Sequence, residues 1–134
     1  MKRGVPLKSR NVKRRDPALA SLQREKVIER DGFRCVAQLV SRGVRCPVTH
    51  PRDLQCAHLI RRHLCGDAIY DPNVAVTLCR LHHDILDRRA PIALWDSIVI
   101  PSEAIDRAEA CVRAAEAKRE ADGRAVVHLK GKAI

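Results

Sequence analysis

Residues 77–87 read TLCRLHHDILD, which puts Cys79, His82 and His83 almost side by side. A helix that only has to pack has no use for so many metal donors at one end. The x2 spacing of Cys79 and His82 lets a loop-to-helix junction offer two donors to a single ion. The rest of the chain is rich in the same chemistry, with six cysteines and six histidines in 134 residues. The opening segment MKRGVPLKSRNVKRRDP is basic and has no apolar stretch behind it, so it does not read as a secretory signal. A cytoplasmic, reducing compartment is therefore expected, where thiols bind zinc rather than pair.

Structural zinc takes four ligands in a tetrahedron, commonly two from a hairpin or turn and two from the start of a helix. Cys79 and His82 supply the helix half. Cys35 and Cys46 flank VAQLVSRGVR, which can form an extended hairpin with Arg42 and Gly43 near its tip. Together the pairs predict a Cys3His site. His50 and Cys56 remain alternative ligands, and Cys35 and Cys46 can also be read as small buried apolar residues.

His83 cannot join that tetrahedron easily, because adjacent residues on a helix point about 100° apart. Asp87 lies four residues on and shares its face. An imidazole and a carboxylate on one face can hold a divalent ion such as Mg or Mn. The competing reading of Asp87 is a salt bridge to Arg88 or Arg61. Upstream, CAHLIRRH sets His58 just before Arg61 and Arg62. A neutral imidazole can take a proton from water near pH 7, and the two guanidinium groups can clamp phosphate oxygens. Taken alone, His58 reads as a core histidine; beside His83 and a basic surface, the catalytic reading is favoured.

Charge narrows the partner. The chain has 26 Lys+Arg against 16 Asp+Glu, a formal charge of +10 and a pI near 9.9. A small chain this basic is expected to meet a polyanion, with nucleic acid first. Phe33, Tyr70 and Trp95 are the whole aromatic set, too few for a base-stacking platform. The expected contact is with backbone phosphates, made by Arg61, Arg62 and the arm residues Lys13, Arg14 and Arg15. No apolar run approaches the roughly 18 residues of a membrane span.

The expected fold class is α+β: a small finger with a structural zinc, flanked by an N-terminal helix and a long C-terminal helix. Residues 1–15 form a basic arm, 16–98 the central domain with its leading helix, and 99–134 a C-terminal helix and tail on the same domain. Asp16 and Pro17 suit a helix start. Leu19, Leu22, Val27 and Ile28 are expected to share its buried face, and Gly32 to stop it. DLQCAHLI predicts a strand, HLCGDAIYDPNV a loop, CRLHHDILDRR a helix, and PIALWDSIVIPSEA a link with a strand. A last helix is expected over about 103–121, with a stripe of Ile105, Ala108, Val112 and Ala115 and a stop at Gly123. The sequence leaves open whether that helix packs on the first one or mediates a homodimer.

These pieces together resemble the HNH endonuclease family, with its ββα-metal finger. The matching stretches are RDGFRC at 30–35, AHLIRR at 57–62, YDPNVAVTLCRLHH at 70–83 and DILD at 84–87. They fall within about residues 24–90. The resemblance implies His58 as general base and His83 as ligand of the catalytic ion. It implies Cys35, Cys46, Cys79 and His82 as zinc ligands, with His82 where the family usually has cysteine. It further implies hydrolysis of double-stranded DNA to 5′-phosphate and 3′-hydroxyl ends, in bacteria or their phages. Two departures stand out. Ala57 occupies the position before the first histidine, commonly Asp or His, which makes Asp87 the candidate replacement ligand. The family's middle asparagine position falls on Val74; Asn73 lies one residue away, and the resemblance implies for it, after a small loop shift, the role of tying the finger loop and orienting the base. A zinc-stabilised DNA-binding module without catalysis is the alternative function, and a disulfide-rich or redox protein is a third class.

Overall fold

The computed structural model describes residues 15–127. Helix α1 spans Pro17–Arg30. The Asp16 carboxylate accepts the amides of Ala18 and Leu19 at 3.0 and 3.1 Å, a cap that contributes about 1 kcal/mol. The helix closes where the Gly32 and Phe33 amides return to the carbonyls of Glu29 and Ile28. This closure needs a left-handed residue, and Gly32 supplies it at φ +75°. The buried face of α1 differs from the expected one. Gln23, Val27 and Ile28 are buried, whereas Leu19 and Leu22 are 45% and 46% exposed. Its contacts run to the strands Leu54–His58 and Ala75–Cys79 and to the turn Pro72–Val74.

Two small antiparallel sheets follow. The hairpin predicted over 36–45 is present, with β1 (Gln38–Leu39) paired to β2 (Val44–Arg45) and Gly43 at φ +66° in its turn. Strand β5 (Ile98–Val99) adds to the other side of β1, giving the order β2-β1-β5. The second sheet pairs β3 (Leu54–His58) with β4 (Ala75–Cys79), in a register from Leu54↔Cys79 to His58↔Ala75. All five residues of β4 are buried, which fits a short unbroken apolar run rather than an alternating one. Helix α3 (Arg80–Leu86) begins at once after β4.

The segment between β3 and β4 was expected to be a loop. It holds the short helix α2 (Arg62–Cys65) and two 3-10 turns, Gly66–Ala68 and Pro72–Val74. Helix α4 runs over Ser102–Val127, through Gly123 rather than stopping there. The backbone of Gly123 stays helical, and an exposed glycine inside a helix costs only about 1 kcal/mol. Its buried stripe is Ala104, Ala108 and Val112, and Ile105 is 39% exposed. The stripe packs on the two 3-10 turns, so α4 holds the β3–β4 connection in place. The protein is thus of mixed α+β class. No helix among the described residues is long and apolar enough to cross a membrane.

Candidate metal centre and basic cleft

Cys35, Cys46, Cys79 and His82 converge, all buried, with their ligand atoms within 4.8 Å of one another. His82 Nδ1 lies 3.4 Å from Cys35 Sγ and 3.3 Å from Cys79 Sγ. Two donors on one tetrahedral zinc, with Zn–S near 2.3 Å and Zn–N near 2.05 Å, stand about 3.5 Å apart. The donor set and its spacing therefore fit a metal ion such as zinc. Residues 36–45 do not force Cys35 and Cys46 apart, because arginines tie the hairpin ends together. Arg34 donates to the carbonyls of Cys46 and Arg45 at 2.8 and 3.0 Å. Arg45 donates back to those of Cys35 and Arg34, each at 2.9 Å.

The cluster's charge also suits a cation. The Cys79 thiol is pulled well down by the hydrogen bond from Cys35, and the Cys35 thiol is pushed up by the same bond and by burial. One thiolate is thus favoured in a buried setting, where a charge without a counterion is costly. His50 and Cys56, the alternative ligands, lie outside this cluster. His50 instead caps the turn Pro51–Asp53, accepting the Arg52 amide at 3.2 Å. Burial pushes the Cys56 thiol up to about 11. All six cysteines are free.

A cleft of about 1380 Å³ lies along α1, β3 and the end of α3. Arg15 and Arg24 line it on one side, Arg52 stands before β3, Arg61 and Arg62 follow β3, and Arg88 and Arg89 follow α3. Asp87 is the one carboxylate among its described lining residues. Such a cleft focuses positive potential and draws an extended anion. Lys13 and Arg14 lie outside the described residues.

His58 and His83 both line this cleft. The His58 Nε2–H donates to the Ile69 carbonyl at 2.9 Å, which leaves Nδ1 as the free lone pair of the neutral ring. Burial lowers the His58 pKa; the hydrogen bond to the Ile69 carbonyl opposes this, and the nearby charges of Arg62, Arg15 and His83 add to the lowering. His83 is held from two sides. Its Nδ1 bonds the Gln55 Oε1, and its Nε2 lies 3.2 Å from Asp87 Oδ2. The i,i+4 pairing expected of His83 and Asp87 is present. The cation beside Asp87 is Arg89, at 3.4 Å, rather than Arg88 or Arg61.

Arg88 has a different part. It takes φ +62° just past α3, where the Arg88 and Arg89 amides return to the carbonyls of Ile85 and Asp84. Glycine is the usual residue at that position. The Arg88 guanidinium sits 4.3 Å from the centroid of Trp95, a stacking worth about 0.5–1 kcal/mol that offsets part of the strain.

Ala57 is fully buried in the core, so position 57 offers nothing to the cleft. Asn73 is exposed on the turn Pro72–Val74, off the cleft wall. Two residues of the site carried no signal in the sequence: Gln55, beside His83, and Gln23, which is 3% exposed and donates to the carbonyls of Ile69 and Asp71. Compared with protein-family models, with curated proteins and with solved structures, the chain matches none of them.

Proposed function

We propose that the protein is a metal-dependent DNA endonuclease of the HNH type. The observation that carries this reading is His58, its Nε2 tied to the Ile69 carbonyl, in the wall of an arginine-lined cleft that also holds the His83–Asp87 pair. Strand pair β3–β4 followed directly by α3, with a Cys3His cluster at its base, supports it further. Zinc would hold the finger closed and take no part in the chemistry.

In this mechanism the arginines grip backbone phosphates and draw the duplex into the cleft. His58 Nδ1 takes a proton from the attacking water, while its Nε2–H stays on the Ile69 carbonyl. His83 Nε2 and Asp87 Oδ2 would hold the catalytic divalent ion. Their 3.2 Å separation is close to the roughly 3 Å between neighbouring donors in an octahedral Mg²⁺ shell. Such an ion supplies charge stabilisation to the phosphate and to the leaving 3′-oxygen. Gln55, by accepting from Nδ1–H of His83, leaves Nε2 free to be the ligand. The products would be 5′-phosphate and 3′-hydroxyl ends.

The second reading is a zinc-stabilised DNA-binding module without catalysis. It is favoured by the burial of Ala57 and the exposure of Asn73. Nicking of supercoiled plasmid, assayed metal by metal with Mg and Mn, separates the two. Cleavage dependent on added divalent ion is expected, and binding without cleavage under every metal would leave only the second reading. Asp87→Asn is expected to raise the Mg concentration for half-maximal nicking on the order of tenfold or more, the scale reached when even an outer partner of a ligand is lost. An unchanged metal dependence would remove Asp87 from the site.

A further inference from the structure

We infer that Gln23, on α1 and outside the finger, is the positioning residue that fixes the ring orientation of His58. The inference rests on the reading of His58 as general base. Gln23 is 3% exposed. Its carboxamide nitrogen donates to the Ile69 carbonyl at 3.0 Å and to the Asp71 carbonyl at 2.9 Å. Both partners are pure acceptors, so the orientation of the amide is set by chemistry. The Ile69 oxygen also accepts the His58 Nε2–H at 2.9 Å. One carbonyl oxygen, with two lone pairs, is therefore shared between Gln23 and His58.

The placement of that oxygen matters because the β3–β4 connection has no strand partner at this point. Ile69 lies between the two 3-10 turns. Gln23 pins the carbonyls on both sides of Tyr70, so the backbone there cannot rotate Ile69 away from His58. With the oxygen fixed, Nε2 keeps the proton and Nδ1 keeps the lone pair that acts as the base. With it free, nothing keeps the proton on Nε2, so the Nδ1–H tautomer becomes populated and the lone pair that should take the water's proton is lost. Asn73 is exposed on the neighbouring turn, so the support for the base comes from α1.

Gln23 also docks α1 on the connection, and a purely structural role must be told apart from positioning. Tyr70 provides the comparison. Its hydroxyl accepts the Asp16 amide at 2.7 Å, another tie between the start of α1 and the same connection. In the full chain, ¹⁵N–¹H correlation of the histidine rings reads the tautomer of neutral His58 directly. Wild type is expected to show the Nε2–H form alone. Gln23→Met is expected to populate both tautomers and to lower the kcat of nicking on the order of tenfold to a hundredfold. KM for plasmid and the half-maximal Mg concentration should stay unchanged. Tyr70→Phe should leave tautomer and kcat as in wild type. Should Gln23→Met fail to fold, Gln23→Asn, which keeps the amide but shortens its reach, is read in the same way. A single Nε2–H tautomer with wild-type kcat in the Gln23 variant overturns the inference. So does a Tyr70→Phe variant that reproduces the Gln23 effect. A wild-type protein that binds DNA but never nicks it removes the endonuclease reading instead, and the tautomer comparison still decides whether Gln23 holds His58.

Discussion

Stripping the metal from Cys35, Cys46, Cys79 and His82 is expected to abolish cooperative unfolding of the protein. The four residues come from three separate places: the two ends of the β1–β2 hairpin and the β4–α3 junction. A single ion bonded to all of them would tie these segments together across long loops. Structural zinc contributes about 10–16 kcal/mol in finger peptides, whereas a whole domain is stable by only about 5–15 kcal/mol. The core around the cluster, built on Leu54, Val76 and Leu78, and the separate one on Val74 and Val112 recover part of that loss but not its scale. Native mass spectrometry is expected to find a single zinc, with all cysteines unpaired. A strong chelator under reducing conditions, or Cys79→Ser, should replace the cooperative melt by a broad, gradual one. Cys56→Ser, outside the cluster, should retain both zinc and melt. A metal-free chain that melts like the wild type would show that the four residues are ordinary core.

The helix half of this site was legible because spacing and chemistry coincide in four residues, Cys79 to His82. The hairpin half was harder to read. Gly43 marks the turn, but the force that joins Cys35 to Cys46 is the mutual grip of Arg34 and Arg45 on each other's neighbouring carbonyls. Side chain-to-backbone bonds of that kind leave no periodicity. The His83–Asp87 pair was legible for the opposite reason, since i,i+4 spacing on a helix sets the geometry by itself. The missing ligand at Ala57 was visible as a residue type. That the position faces the core, with Val76 opposite it, depends on strand register and could not be read from residue type alone.

The first helix shows why the remainder was hidden. Its pattern gave Leu19 and Leu22 to the core, yet the connection that α1 meets presents backbone carbonyls at Ile69 and Asp71. A glutamine can satisfy those carbonyls and a leucine cannot. Gln23 therefore took a place on the buried face, and the leucines at the start of α1 were left half in solvent. A polar residue whose partner lies 46 positions away has no signature in a single sequence. Gln55 is the same case on a strand: its partner His83 is fixed by α3 crossing β3, a tertiary fact.

His58→Ala is expected to lower the nicking rate by roughly 10²–10⁴-fold, the usual contribution of a positioned general base. Zinc content, melting behaviour and DNA affinity should be retained, because the ring lies in the cleft wall and its one hydrogen bond is to a backbone carbonyl. The pH profile gives an independent check. Burial lowers the His58 pKa from the ordinary 6.5; the Ile69 hydrogen bond works against it, and the charges of Arg62, Arg15 and His83 add to the lowering. In the proposed mechanism the base is the neutral ring, so its contribution to rate rises as pH climbs through that lowered value. An acid limb assigned to His58 must therefore fall below 6.5. Arg62→Ala removes one of the depressing charges and should move that limb toward higher pH. Stability follows the same linkage. Between the ordinary and the lowered value the unfolded chain binds a proton that the folded one refuses, so the folded state weakens as pH falls through that window. An acid limb above the ordinary histidine range, or nicking that survives His58→Ala, would take the base away from His58 and leave the arginine cleft as a binding surface.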